Sequence, residues 1–312
     1  MPIIHELFTY PGNNYSKDVM QQNVGSNGDS YITMIHPESK ELFVAVMDGA
    51  VSPYFYKING EATDAFASRQ MKNIMQEKAK QYHFLPSAQS IVAASIDDYA
   101  KLCNKIRPTI ETELRNNRYL SQHERLTAKV WNPACAFVTA VFHVDGSISI
   151  AQATDCTVSS IDKSGRINVL TPDTHEKLSK LGKLHGLPER PETSIKNGKD
   201  PKDVLAREFK INQLNRENCY NQPDGIGVFN GEYELMTSGC LNTIIISPEE
   251  AACLDKLVLV SDGMTPGRNE IGKAISYIVQ HGAAHYYSYR LAPHFNGRNP
   301  IPTDATSIVV DL

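Results

Sequence analysis

The sequence predicts an α+β layered domain, a sandwich of strand-rich regions with helices outside. Short apolar or alternating runs punctuated by Pro, Gly, Asn and Ser open the chain and return after residue 134. Between them lie two long stretches with helical periodicity. Strands in pairs, then helices, then strands again fit a layered α+β domain better than alternating βαβ units. Two strand-rich regions can pack face to face with the helices outside.

Strands are predicted at 6–10 (ELFTY), 29–35 (DSYITMI) and 41–48 (ELFVAVMD), followed by a loop at 52–60. Ala62, Ala65, Phe66, Met71 and Ile74 mark one apolar helix face between Gly60 and Tyr82. A second helical stretch spans 87–120, with Ser87 as N-cap and Pro108 expected to break or kink it. Strands resume with ACAFVTAVFHV (134–144) and a single run at 147–161. Asp145-Gly146 between them gives the strongest hairpin signal in the chain. A turn at Lys163–Gly165 leads to INVLT (167–171). Residues 172–222 are polar and read as an insertion over the strands. LDKLVLVSDGM (254–264) is a buried strand ending in an acidic turn, EIGKAISYIVQ (270–280) a helix, and ATSIVVDL (305–312) the closing strand. The expected organisation is one domain over 1–312 with 172–222 inserted in it.

Composition narrows the function. The 312 residues are 41% hydrophobic and 21% charged with a net charge of −4, ordinary globular usage with no basic excess for nucleic acid and no polybasic block for a membrane. The six cysteines are scattered without C-x-x-C spacing, so reduced thiols are expected rather than zinc or a redox pair. No basic n-region precedes a long apolar stretch, and no apolar run approaches a membrane span, so a cytoplasmic location is expected.

Four aspartates stand where strand meets turn: Asp29, Asp48, Asp262 and Asp304. Asp48 and Asp262 share a pattern of buried apolar run followed by Asp-Gly. A strand aims its terminal side chain, and Gly permits a sharp turn or a close approach. Convergent carboxylates repel one another at neutral pH, and a hard divalent cation with oxygen ligands is the usual remedy. Two such ions roughly 4 Å apart can polarise phosphoryl oxygens and activate water for in-line attack. A single Asp-Gly after a strand also reads as a plain turn.

In order along the chain, SNGDSY (26–31), FVAVMDG (43–49), GEATDAFASRQM (60–71), ACAFVTAVF (134–142), AQATDCTVSSI (151–161), VLTPDTH (169–175), LVLVSDGM (257–264) and DATSIVVDL (304–312) resemble the motifs of the metal-dependent protein phosphatases, the PPM or type 2C Ser/Thr family, as a divergent bacterial-type member. The resemblance covers nearly the whole chain. It implies an α+β fold, a central β-sandwich of two antiparallel sheets flanked by helices, with a metal pair at one end, Mn²⁺ or Mg²⁺, bound through Asp29, Asp48, the Gly49 carbonyl, Asp262 and Asp304. Asp155 with Asp262 matches a third, weaker position. It implies hydrolysis of phosphoserine and phosphothreonine by direct attack of a metal-bridging water, with Asp48 and Asp262 central to catalysis. A phosphorylated protein is the implied substrate, a cognate Ser/Thr kinase the implied counterpart, and 172–222 the flap.

The chain departs from that pattern in several places. DGAVSP lacks the His that often follows Asp-Gly, and Val24 stands where many members carry a phosphate-contacting Arg, leaving the metals, Arg69 or Arg268 to take the phosphate. Gly28 replaces a Glu or Gln, Thr154 a Gly and Ala305 an Asn. These changes keep a second class open, a degenerate non-catalytic binding or sensor module of the same fold. A small phosphorylated metabolite is the alternative substrate. His175 and Trp131 read as structural, and HYYSYR (285–290) is too short for a nucleic-acid platform. GIGVFNG (225–231) lacks the frame of a nucleotide loop and reads as a Gly-rich strand near the site.

Overall fold

The computed structural model of the chain describes residues 2–11, 28–50, 56–117, 120–171, 213–264, 270–291 and 304–312, with isolated positions between 174 and 211. Val24, His175, Arg268 and most of the 172–222 insertion lie outside them.

Twelve strands are described: β1 (Ile3–Tyr10), β2 (Asp29–Ile35), β3 (Leu42–Ala50), β4 (Lys57–Ile58), β5 (Glu61–Ala62), β6 (Ala134–Phe142), β7 (Ile148–Ala153), β8 (Thr157–Asp162), β9 (Ile167–Val169), β10 (Asn242–Ile246), β11 (Leu254–Val260) and β12 (Ala305–Asp311). The helices that matter here are α1 (Thr63–Ala79), α2 (Ala88–Arg115), α3 (Gln122–Thr127), α4 (Glu234–Thr237), α5 (Pro248–Ala251), α6 (Ile271–His281) and α7 (Ala283–Leu291). Two five-stranded antiparallel sheets form, in the orders β1-β12-β11-β8-β9 and β10-β7-β6-β3-β2. The expected sandwich is therefore present.

Side-chain alternation sorts the core into layers. Leu42, Val44 and Val46 of β3 meet Leu257, Leu259, Ile308 and Val310 of the other sheet. Phe43, Ala45 and Met47 point the opposite way, onto Met71, Met75, Ile91 and Ile96 of α1 and α2. On the far side Val258, Val260 and Val309 pack against Ile271, Ile275, Ile278 and Tyr287 of α6 and α7. The result is four layers, helix–sheet–sheet–helix. It explains why β3, β6 and β11 read as continuous apolar runs: both faces are covered.

Local signals fall where the chemistry predicts. Ser87 caps α2 by accepting from the Ser90 amide at 3.3 Å. Gly146 turns the β6–β7 hairpin at φ +86°, and Gly165 does the same after β8 at φ +83°.

Three expectations are corrected. Pro108 does not break α2, which runs unbroken to Arg115 and stops short of 120. Cys103, Ile106, Ile110 and Leu114 keep one buried stripe on both sides of it, while Pro108 and Asn104, whose carbonyl loses its donor, face solvent. The run 147–161 is two strands, because the chain crosses from one sheet to the other at Thr154–Cys156. Residues 225–231 form no strand. They hold isolated bridges, Phe229 to Cys135 and Ile226 to Tyr220.

Pro108→Ala restores the amide donor to a solvent-facing turn. It should raise the stability of the chain by about 1–3 kcal/mol in urea unfolding. An unchanged or lower midpoint would mean that the turn around Pro108 is tolerated without cost.

Candidate metal centre

The antiparallel order brings particular strand ends together. Asp29 opens β2 and is the cross-strand partner of Asp48 near the end of β3. Asp262 follows β11 in a short 3₁₀ turn, Asp304 precedes β12, and Asp155 sits in the β7–β8 crossing. Asp29 is buried and the other four are half-buried.

Charge confirms the convergence. Burial, then the neighbouring Asp304 and Asp262, pushes the Asp29 carboxyl up to about 8, although Ser261 and Thr306 hydrogen-bond to it and pull the other way. Asp48 is raised well above its ordinary value by burial and by Asp29, Asp262 and Asp155, and it shares a hydrogen bond with Asp262. The charges each of these groups feels most are other aspartates. Ser261 Oγ donates to Asp29 Oδ2 at 2.7 Å and accepts the Thr306 amide at 2.9 Å, tying β2 to both strands of the opposite sheet.

Both Asp-Gly pairs are close-approach sites, and the second also lies in the 3₁₀ turn. A Cβ on Gly49 would lie 2.0 Å from the Asp64 carbonyl oxygen, and one on Gly263 would lie 1.7 Å from that of Asp304. Each glycine thus lets a neighbouring backbone pack beside its aspartate. Gly28 does the same for side chains, since a Cβ there would sit 2.5 Å from Asp304 Oδ2 and 3.1 Å from Asp64 Oδ2. Asp64, buried in the first turn of α1, is the acidic residue that sequence reading missed. An Asp at a helix N-terminus reads as a dipole partner, and here it also accepts the Ala65 amide at 2.9 Å. Only the juxtaposition with Asp304 gives it away.

Thr154 precedes Asp155 at φ +67°, a left-handed conformation that a β-branched residue rarely adopts. Its hydroxyl donates to the Gly227 carbonyl. The 225–231 segment thereby props the turn that aims Asp155. Arg69 does not face the cluster as a spare cation: its Nε donates to Glu61 Oε1 at 3.0 Å and its Nη2 to Oε2.

The donor set suits a hard divalent cation in kind, since every acidic group is a carboxylate. In spacing it does not form a ready cage. Among the described residues no three His, Cys, Asp or Glu side chains are grouped so as to hold an ion.

Comparison with solved structures finds bacterial serine/threonine phosphatases along the whole chain. The Streptococcus agalactiae (S. agalactiae) serine/threonine phosphatase is 14% identical at a TM-score of 0.56, with 100% of both chains covered. Stp1 from Staphylococcus aureus is 16% identical at 0.54, covering 99% of this chain and 95% of that one. Mycobacterium tuberculosis PstP/Ppp is 13% identical at 0.51, covering 98% and 97%. No family model and no curated protein matches the sequence. The fold is that of the PPM-type serine/threonine phosphatases, and at these identities the likeness is one of fold.

Two predictions follow from this geometry. Thr154→Val keeps the left-handed strain and removes the hydroxyl from a buried carbonyl, costing about 2 kcal/mol in urea unfolding. Thr154→Gly should cost less, because relief of about 1 kcal/mol of strain offsets the lost bond. The reverse order would remove Thr154 as the prop of Asp155. A carboxyl whose folded value is raised contributes stability fully present below its unfolded value, near 3.8, and lost as pH rises through about 8. In EDTA the Tm should therefore fall from about pH 4 to about pH 8 and level off above it, and Mn²⁺ should recover several degrees of it, more at the higher pH. A Tm in EDTA that ignores pH would sink the carboxylate cluster as drawn.

Proposed function

We propose that the chain is a metal-dependent protein serine/threonine phosphatase, a single domain with 172–222 as its flap. The observation that carries the reading is a set of buried and half-buried carboxylates, at strand ends of both sheets, in which Asp29 and Asp48 have other aspartates as their charged neighbours. Nature of donor and excess of negative charge both suit a pair of Mn²⁺ or Mg²⁺ ions. Asp48, Asp262 and Asp304 would hold the ions, with Asp29 and the Gly49 carbonyl beside them and Asp155 at a third, weaker position. Bound cations supply Lewis acidity to the phosphoryl group and to water. The chain's own part is to aim the carboxylates from rigid strands and to keep Asp29 oriented through Ser261. A phosphoprotein substrate and a cognate kinase accompany the reading, with the cytoplasm as its place. Among the described residues no helix is long and apolar enough to cross a membrane.

A second reading, a non-catalytic binding module of the same fold, is favoured by one observation. Among the described residues the acidic side chains do not group into an ion-holding set.

Purified protein should release phosphate from a phosphothreonine peptide with Mn²⁺ or Mg²⁺ and not with EDTA. Asp48→Asn should lower the rate by about 100-fold or more. The peptide should outcompete a small phosphate monoester. Folded protein that binds the peptide but turns over nothing with any metal would move the assignment to the binding module.

A further inference from the structure

Helix α7 has a direction that matters. Its first amide, on Ala283, donates to Glu6 Oε1 of β1 at 2.9 Å. One turn later the Tyr287 ring lies 5.6 Å from Phe8 and 4.8 Å from Tyr10. The helix thus runs along β1 toward Tyr10, and Tyr10 pairs with Ala305, the residue after Asp304. The last turn of α7, which carries Arg290, therefore arrives at the strand end where the carboxylates gather. Tyr287 feels the positive charge of Arg290 and the negative charge of Asp304 and Asp29, so it lies within reach of both.

Residues 286 and 290 are one turn apart on the same helix face. Tyr286 is only 3% exposed, and its hydroxyl is buried without a hydrogen-bond partner among the described residues. Arg290 Nη1 is buried and lacks one too. Buried polar groups are nearly always satisfied, and a guanidinium keeps its charge at any working pH. Burial holds the Tyr286 phenol up at about 12, so it remains a donor. Two neighbouring donors, one cationic, lack an acceptor. The ligand class that completes them is an anion with several oxygens, such as a phosphate group.

We propose that Arg290 and Tyr286 form the seat that receives the substrate phosphate at the edge of the carboxylate cluster. The substrate class rests on the phosphatase reading, whereas the seat itself stands on the two orphaned donors. Arg69 is already held by Glu61 at two atoms, whereas Arg290 Nη1 is buried and has no partner among the described residues. A phosphate monoester approaching an acidic cleft needs a positive group on its outer side, and the end of α7 provides one.

The test uses the full chain. With Mn²⁺ and a phosphothreonine peptide, Arg290→Met should raise KM by about 10-fold or more with kcat changed by less than about 3-fold. Arg290→Lys should recover part of the loss, because a point charge replaces the fork. Tyr286→Phe, which removes one hydroxyl and keeps the packing, should raise KM by about 3-fold. Calorimetry with inorganic phosphate, on the parent and on Asp48→Asn, should show binding that Arg290→Met weakens by about 10-fold. Without turnover in any protein, the phosphatase reading fails while the calorimetry still reads the seat. If folded Arg290→Met and Tyr286→Phe bind phosphate as the parent does, with KM unchanged, the seat is wrong.

Discussion

Mutual repulsion among carboxylates is the constraint on which the rest of this structure depends. Two unit charges about 4 Å apart interact by about 4 kcal/mol at the effective dielectric of a protein surface, and Asp29 and Asp48 each face several. Nothing local to any one aspartate requires that proximity. It is imposed by strand pairing: β2 against β3 sets Asp29 opposite Asp48, and sheet stacking brings Asp262 and Asp304 over them. The apolar burial along β3, β6, β11 and β12 is the force that opposes the repulsion, because a strand shifted by one residue would exchange the side chains that fit the sheet–sheet layer with those that fit the helices. A proton or a cation must settle what remains.

The same crowding explains the glycines. Gly49 and Gly263 follow aspartates on adjoining sheets, and both admit a backbone carbonyl where a Cβ would collide. Through Gly49 the first turn of α1 reaches β3, and through Gly263 the chain at Asp304 reaches β11. Gly28 makes room for two acidic side chains rather than one. The site is dense because its glycines permit it, and any side chain at these positions would push the carboxylates apart.

Much of this was legible in the sequence. Strand ends marked by Asp-Gly, the Ser87 cap and the hairpin at Asp145-Gly146 follow from local pattern, since period and turn chemistry are properties of neighbours in the chain, whereas the mixing of early and late strands in each sheet does not. Pro108 was misread because its cost is local while its tolerance comes from Cys103 and Leu114 packing on either side. Thr154 was visible only as a missing glycine. Its left-handed turn and its bond to Gly227 join residues far apart in sequence. Asp64 and the pair Tyr286 and Arg290 lay inside segments that read as helix, and their meaning comes from which strand end each helix reaches.

The two functional readings differ in one physical respect, the species that neutralises the cluster. Burial and neighbouring aspartates raise Asp29 and Asp48 above the usual carboxylate range, so a proton is one way to relieve the clustered carboxylates. A divalent cation satisfies more of them at once, and it does so best where the proton is least held, at higher pH. Binding a phosphoryl group adds negative charge to the cleft, so it favours the cation-held state over the proton-held one. On the phosphatase reading, the orphaned donors of Tyr286 and Arg290 at the edge of the carboxylates would serve an anion that arrives with metal rather than one that arrives alone.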